Sequence, residues 1–432
     1  MNDTQVGNNV REQRSSIVRV IVASSIGTII EWYDFYLFGT VAALGFLTPL
    51  FFPGFNPLAG TLAVFGSYAV AFIGRPIGGF VIGNLGDKIG RKKTLLITVV
   101  LMGAGTFLIG LLPTYAIIGL AAPILLVILR LIQGFSAGGE WGGAALMTVE
   151  HAPPNRRAFY SSFVQIGVGG GFIIGNGVLL AVSYALSNKQ LAAWGWRIPF
   201  LLSVVLVLIG FYIRSRISET PVFVEEVERK RREARVPLFE VIHKYPREVL
   251  CATGANLATS AQGTVLAVYA VAYAVGQAGA SPDFMLSLVI GTELLGIFTT
   301  IGVGWWADNG GGKKRLALAS FLFQIVWAIP FFKLIDTGSS LLIAIALIVL
   351  PLLALWAYPV LAALLGELFP PEVRQSGMSI GYQLGGILGA GFAPAILSAI
   401  YGTTHDSAFL SLYVIVIALI GFVSIVTMKT RP

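Results

Sequence analysis

Two carboxylates lie three residues apart in the strongly apolar segment EWYDFYLFG, which begins at Glu31. If this segment is helical, Glu31 and Asp34 share one face, because helical neighbours are three or four residues apart. Two carboxylates in a medium of low dielectric constant resist being ionised together, so the pair would take up and release a proton as a unit. The alternative is a structural ion pair with an arginine elsewhere in the chain.

Two arginines lie in equally apolar surroundings, Arg75 in GRPIGG and Arg130 in RLIQGFSAGG. A guanidinium group binds carboxylates through two parallel hydrogen bonds, so either side chain can bind an organic acid or pair with an acidic residue. Two further acids, Glu140 in GGEWGG and Glu293 farther along, also interrupt apolar runs. For Glu140, binding of substrate, coupling of protons and a role in helix packing are the alternatives. Glu293 has no arginine at an equivalent depth, and it fits a polar contact or a coupling role.

The elements that must position these charges are long apolar segments. Of the 432 residues, 56% are hydrophobic and 12% are charged, with a mean hydropathy of +0.81, whereas about a quarter of the residues in a soluble domain are charged. Apolar runs of about 20 residues can cross a bilayer as helices, which satisfy their own backbone hydrogen bonds. The sequence therefore predicts an all-α polytopic membrane protein with about twelve transmembrane helices.

Lysine and arginine concentrate in alternate loops, for example in the ranges 88–93, 214–247 and 313–315. Because such loops are retained in the cytoplasm, we expect a multi-pass protein of the cell membrane with both termini cytoplasmic. Topology accounts for the net charge of +8, and no nucleic-acid partner is needed. The longest charged interruption divides the chain into a cytoplasmic tail (1–17), a six-helix bundle (18–216), a cytoplasmic linker (217–245), a second six-helix bundle (246–428) and a short tail (429–432).

The two halves of the chain repeat each other. EHAPPNRR, from Glu150 to Arg157, aligns without a gap on ELFPPEVR, from Glu367 to Arg374. The glycine-rich strip GNLGDKIGRKK, which begins at residue 83, matches GVGWWADNGGGKKR, from residue 302, less regularly. Parallel repeats of six helices with a binding site near the midplane are one established plan of secondary transporters.

Several of these segments resemble known motifs. GNLGDKIGRKK and RLIQGFSAGG resemble the loop signature and the fourth-helix motif of the major facilitator superfamily, and the resemblance covers nearly the whole chain. EWYDFYLFG, GRPIGG, GGEWGGAAL and WGWRIPF together resemble its metabolite:proton symporter family, which includes carriers of shikimate, 2-oxoglutarate, citrate, and proline or betaine. The resemblance implies two pseudo-symmetric six-helix bundles.

The resemblance also implies that the charged strips latch the halves together when the carrier faces outward. A tight turn that only anchors the topology is the alternative, and the irregular second copy makes a latch less secure there. The predicted gating residues are Asp87, Arg91, Asp308, Glu150, Arg157, Glu367 and Arg374.

The interior charges lead to a prediction of the functional site. Arg130 resembles the proton-linked arginine of the superfamily, and proton coupling is assigned to Glu31, Asp34, Arg130 and Glu140. Substrate binding is assigned to Arg75 and to polar or aromatic residues, of which those of the seventh and eleventh helices could each form a helix–helix hydrogen bond instead. These residues are Tyr33, Gln133, Trp141, Gln262, Tyr269, Tyr382 and Gln383.

The sequence thus predicts a proton-coupled symporter that imports a small metabolite by alternating access, with an organic acid such as a mono- or dicarboxylate as the leading substrate class. A zwitterion such as proline or betaine is the alternative, because Trp32, Tyr33 and Trp141 offer aromatic faces to a cation. A membrane sensor that binds its ligand without transport is the alternative from another class. We find no pattern of a catalytic nucleophile, metal cluster or cofactor loop, and we expect no enzyme activity, no metal, no cofactor besides protons, and a monomer.

Overall fold

The computed structural model describes residues 25, 27–89, 91–138, 152–216, 238–370 and 373–429, almost all of them helical. The predicted tail 1–17 and most of the predicted linker 217–245 lie outside these ranges. Three predicted site residues, Glu140, Trp141 and Glu150, also lie outside the described residues, as do the side chains of Asp87 and Arg91.

Two bundles follow each other along the chain. The first contains α1 (residues 27–43), α2 (Pro57–Ile89), α3 (Arg91–Leu111), α4 (Ala121–Ala137), α5 (Arg157–Ala185) and α6 (Arg197–Arg216). The second contains α7 (Pro246–Gly276), α8 (Pro282–Gly311), α9 (Lys313–Asp336), α10 (Ser340–Leu368), α11 (Arg374–Thr404) and α12 (Ser407–Thr427). The shorter helices between them are Leu47–Phe51, Tyr115–Ile118, Asn188–Gln190 and Leu238–Lys244.

Within the described ranges, eight helices are long and apolar enough to cross a membrane by themselves, namely α2, α5 and α7 to α12. α6 reaches the necessary length together with the preceding segment Asn188–Gly195, across a bend of 53°. α3 and α4 contribute shorter apolar stretches, and α1 is described only from residue 27. Since a helix satisfies its own backbone hydrogen bonds, this architecture suits lipid, and it agrees with the predicted fold of two six-helix bundles.

The backbones of α2 and α4 touch each other through glycines. A Cβ atom at Gly78 would lie 1.7 Å from the carbonyl oxygen of Phe135, and one at Gly134 would lie 1.7 Å from the carbonyl oxygen of Ala71. Only glycine permits so close an approach, and small residues at such crossings are typical of helices packed in membranes. The contact brings Arg75 of α2 and Arg130 of α4 into the interior of one bundle.

At one end of the molecule, Asp308 joins the second bundle to the first. Its carboxylate accepts the backbone N–H groups of Ala158 (3.3 Å) and Phe159 (2.7 Å) in the first turn of α5. A carboxylate at this position caps exposed N–H donors and complements the positive end of the helix dipole. The ion pair of Lys313 and Glu367 lies close enough to Asp308 to interact with it electrostatically. Asp308 therefore bridges the bundles, and its role in gating stays a prediction.

The other described gating residues occupy equivalent points of the two bundles. Arg157 begins α5 and Arg374 begins α11, which are the fifth helices of their bundles. Glu367, near the end of α10, pairs with Lys313 inside its own bundle. The repeat in the sequence thus places these residues at one end of the structure, and whether they gate it stays a prediction.

Toward the opposite end, α2 of the first bundle contacts α11 of the second. A Cβ atom at Gly391 would lie 3.1 Å from the side chain of Phe72, and one at Gly402 would lie 2.4 Å from a methyl group of Leu58. Leu58 lies at the start of α2. Because α2 and α8 begin at the same side of the molecule, this contact lies opposite Asp308. The described residues of the two bundles therefore touch at both ends.

We expect Gly134→Ala to destabilise the first bundle. The added methyl group would meet the carbonyl oxygen of Ala71, and overpacking of this kind costs about 1–3 kcal/mol because a backbone atom cannot move aside. Gly177→Ala is the control, since a Cβ atom there meets no heavy atom within 4 Å and alanine favours helix. Thermal unfolding in detergent measures both variants, and equal melting temperatures would contradict the backbone contact.

We expect Asp308→Ala to loosen the end of the interface that it bridges. Loss of an N-cap costs about 0.5–2 kcal/mol, which corresponds to a roughly 2- to 30-fold increase in the open population. A cysteine at Ser162, which is buried against Gly304, reports this opening through maleimide labelling in a Cys251→Ser background. Asp283→Ala, in the first turn of α8, is the control and should leave the labelling rate unchanged. A wild-type labelling rate in Asp308→Ala would show that this contact does not stabilise the closed interface.

Candidate functional site

A buried ion pair lies in the interior of the first bundle. The Nη2 atom of Arg75 is 3.1 Å from the Oε1 atom of Glu31, and the two side chains are 4% and 3% exposed. The guanidinium carbon lies 4.1 Å from the ring centre of Phe35, 4.8 Å from that of Phe72 and 5.0 Å from that of Trp32. Aromatic faces attract cations, so the three rings stabilise the arginine on the sides that the carboxylate does not occupy.

A second polar layer follows one turn farther along α1. Arg130 donates to the Oε1 atom of Gln133 (2.9 Å), and the amide of Gln133 donates to the hydroxyl of Thr106 (2.7 Å). Asp34 lies beside Thr106 and interacts electrostatically with Arg130. The guanidinium carbon of Arg130 lies 5.1 Å from the ring centre of Phe35, the residue that also contacts Arg75. The two predicted carboxylates therefore face different arginines, and one aromatic ring contacts both cations.

The second bundle contributes α11 to this region. Tyr382 lies close enough to Arg75 and Glu31 to interact with both electrostatically. The adjacent Gln383 donates its side-chain amide to the carbonyl oxygen of Gly138, at the end of α4, over 2.9 Å. The structure thus brings Tyr382 and Gln383 to the predicted site from across the interface.

The two glutamines that follow the repeated segments form matching contacts. Gln165 of α5 donates to the carbonyl oxygen of Tyr358 in α10 over 3.4 Å, as Gln383 of α11 does to Gly138. Each bond joins the fifth helix of one bundle to the fourth helix of the other. For Gln383, the side-chain amide is occupied by this contact in the present conformation, and a substrate would have to replace it.

Two residues that were predicted to bind substrate form hydrogen bonds inside their own bundles. The hydroxyl of Tyr33 donates to the carbonyl oxygen of Pro199 in α6 (2.6 Å), and the hydroxyl of Tyr269 donates to that of Leu397 in α11 (3.1 Å). Both side chains therefore hold helices together in this conformation. Gln262 is buried on α7, at 5% exposure. Substrate binding by these three residues stays a prediction, and for the two tyrosines the placement does not favour it.

Three buried donors near the ion pair have no hydrogen-bond partner within the described ranges. They are Nε1 of Trp32, the hydroxyl of Tyr358 and Nε of Arg75. Trp32 was predicted from the sequence only as an aromatic face and not as a hydrogen-bond donor, and Tyr358 was not predicted at all. Trp32 could have been found, since it follows Glu31 directly. Tyr358 has no such signal, because a single tyrosine in an apolar run of the second bundle does not indicate its neighbours in the first.

Comparisons with known proteins show which family this chain belongs to. The model described as "Sugar (and other) transporter" matches residues 20–241 and, separately, residues 237–432. The inner membrane metabolite transport protein YhjE of Escherichia coli is 39% identical over 96% of this chain and 94% of its own. The shikimate transporter of Escherichia coli is 36% identical over 95% and 94% of the two chains. The proline/betaine transporter of the same organism is 35% identical over 95% and 83%.

The fold is shared with a solved major facilitator structure. The proton:xylose symporter XylE bound to 6-bromo-6-deoxy-D-glucose superposes with a TM-score of 0.73 over 96% of this chain and 95% of that chain, at 19% sequence identity. At this identity the similarity concerns the fold alone. Because the family model and the curated relatives all describe transport proteins, the molecule is a multi-pass membrane transporter and not an enzyme. The chain belongs to the sugar (and other) transporter family of the major facilitator superfamily.

Proposed function

We propose that this transporter is a proton-coupled symporter that imports a small carboxylate-bearing metabolite, with an organic acid as the leading substrate class. The observation that carries the proposal is the buried ion pair of Arg75 and Glu31. A guanidinium group in a water-poor site binds a carboxylate strongly, and a substrate carboxylate offers the same chemistry as the side chain that already occupies Arg75.

Proton coupling follows from competition for Arg75. While Glu31 is ionised, it occupies the guanidinium group. When Glu31 takes a proton it loses most of its attraction for Arg75, so that a substrate carboxylate can replace it. Binding of the proton and binding of the substrate thus favour each other, and this linkage is reciprocal. A higher proton concentration outside would favour loading there, and a lower one inside would favour release.

The unpartnered donors near Arg75 support a substrate rich in acceptor atoms. A buried donor without a partner costs about 1–3 kcal/mol, and a carboxylate can accept several hydrogen bonds at once. Trp32 supplies such a donor from the first bundle and Tyr358 supplies one from the second. A ligand that accepts from both would hold the bundles together around itself, as alternating access requires.

The layer of Asp34 and Arg130 contains a second carboxylate that can take part in proton coupling. Asp34 lies near Arg130 and Thr106, and its position one turn from Glu31 allows the two acids to influence each other's charge. In this proposal the coupling ion is the proton and no other cofactor takes part. The proposed transporter is a monomer in the cell membrane with both termini in the cytoplasm. The charge of the loops supports this orientation.

A zwitterion such as proline or betaine is the second candidate substrate. The rings of Trp32, Phe35 and Phe72 surround Arg75, and such faces also suit a quaternary ammonium group. A relative named as a proline/betaine transporter is nearly as similar to this chain as the one named as a shikimate transporter.

Uptake into proteoliposomes tests the function. With an inwardly directed proton gradient, radiolabelled shikimate, citrate and 2-oxoglutarate serve as acid probes, and proline and glycine betaine serve as zwitterion probes. We expect at least one acid to accumulate above its external concentration and a protonophore to abolish the accumulation. Accumulation of the zwitterions alone would favour the second candidate. Binding of a probe without movement of probe or protons would show that the protein is a sensor.

We expect Arg75→Lys to raise the KM for the transported acid about tenfold, which corresponds to about 1.4 kcal/mol. Lysine keeps the charge but loses the planar fork that binds both carboxylate oxygens. Arg315→Lys, at an exposed position of α9, is the control and should leave the KM unchanged. A wild-type KM in Arg75→Lys would exclude a bidentate contact with the substrate.

A further inference from the structure

Glu293 is a partly buried acid on α8 that the proposed binding mechanism does not use. α8 runs from Pro282 to Gly311, and Glu293 lies eleven residues from its start, which is about 16 Å along the helix. Its carboxylate thus lies near the middle of the membrane span. Ionisable groups at such a depth are energetically costly, and they are usually functional.

The helices packed against α8 offer this carboxylate no cation. α8 packs against α5, α7 and α10. None of these helices has an Asp, Glu, Lys, Arg or His in the ranges 158–185, 251–276 and 340–366. Within the described ranges Glu293 forms no ion pair. The Lys313–Glu367 pair lies at the end of the molecule, far from the middle of α8.

The groups that do face Glu293 come from both bundles. On α5, a Cβ atom at Gly169 would lie 2.8 Å from the Oε1 atom of Glu293. Tyr36 of α1 and Tyr358 of α10 lie close enough to interact with Glu293 electrostatically, and Tyr358 interacts with Glu31 as well. The carboxylate of the second bundle is therefore packed against the backbone of the first, beside tyrosines that also border the ion pair.

We propose that Glu293 is a proton-binding residue whose protonation permits the two bundles to close on each other. An ionised carboxylate without a cation is unfavourable in a site of low dielectric constant, and here closure places it against the backbone of α5. When α5 and α8 move apart, water can reach the carboxylate and the proton can leave. Each closure would thus require a proton on Glu293. The proposal rests on the proposed symport and names a residue of the second bundle that takes part in it.

The packing favours a proton over a cationic group of the substrate. An ammonium group would need room beside the carboxylate, and on the side that faces α5 the backbone at Gly169 takes up that room. A proton needs no additional volume. Occupation by a substrate cation is nevertheless a distinct outcome that the following experiment detects.

Glu293→Gln imitates the protonated side chain permanently. In proteoliposomes, the pH gradient that just balances an opposing probe gradient gives the number of protons moved per probe molecule. The probe is whichever of the five compounds named for the uptake experiment the wild type accumulates. Because each closure requires the proton in either direction, Glu293 moves no net proton per cycle, and we expect this number to stay unchanged in Glu293→Gln. At saturating probe, where Glu31 no longer competes for Arg75, we expect exchange without a pH gradient to lose the acceleration at low pH that the wild type shows. Glu248→Gln, in the first turn of α7, is the control and should behave as the wild type.

The possible results separate this proposal from the proposed function. If the wild type moves no protons, both fail. If the wild type couples protons and Glu293→Gln moves the same number with the same pH dependence, only the role of Glu293 fails. If Glu293→Gln instead raises the Kd for the probe more than tenfold and keeps the pH dependence of exchange, Glu293 contacts the substrate and the proposal is wrong.

A second measurement uses the wild-type protein, in case the variant does not fold. Dicyclohexylcarbodiimide modifies protonated carboxyl groups in apolar surroundings, and peptide mass spectrometry identifies the modified residue. We expect modification at Glu293 that decreases as the pH rises. Absence of modification at Glu293 at every pH, while another buried acid of the same sample is modified, would overturn the proposal.

Discussion

An arginine in the interior of a membrane protein requires an acid, and this requirement organises the first bundle. Leaving one partner of a buried pair alone is strongly destabilising, because the remaining charge has lost its water. Arg75 meets the requirement with Glu31, and Arg130 meets it with Gln133 and the neighbouring Asp34. Both cations depend on the glycine contact between α2 and α4, which brings them to the same face of α1. If these helices stood farther apart, the acids and arginines could not neutralise one another.

The bundles and the interface between them are built from different kinds of contact. Inside the first bundle, α2 and α4 meet backbone to backbone, with no side chain between them at Gly78 and Gly134. Across the interface, side chains bond to backbone groups, as Asp308 does at α5 and Gln383 does at Gly138. A hydrogen bond of this type contributes about 1 kcal/mol net, because water replaces either partner when the bond opens. Rigid bundles joined by replaceable contacts suit the rocking of one bundle against the other.

The apolar composition predicted transmembrane helices, because a chain that crosses lipid can form few kinds of secondary structure. The internal repeat predicted two equivalent halves. The sequence also identified the interior charges, but it left open which acid each arginine would contact. Glu31 and Asp34 share one face of α1 and are separated by only about 4.5 Å along the helix axis. Successive residues of a helix point about 100° apart, so Tyr33 turns to α6 while its neighbour Trp32 faces Arg75. That rotation depends on packing between helices, which no single segment encodes.

Glu31 and Glu293 respond to different events in the proposed cycle, because their surroundings differ. Glu31 shares its site with Arg75, so its charge depends on whether a substrate carboxylate takes its place. Glu293 has no cation on the helices packed against it, so its charge depends on whether water reaches it, and hence on whether the bundles are together. The first acid links the proton to the substrate, and the second links the proton to the conformation. The first link also limits leakage, since a carrier that moved with Glu31 protonated and no substrate would carry a proton alone and dissipate the gradient. That state would leave Arg75 buried without an anion, which is strongly unfavourable.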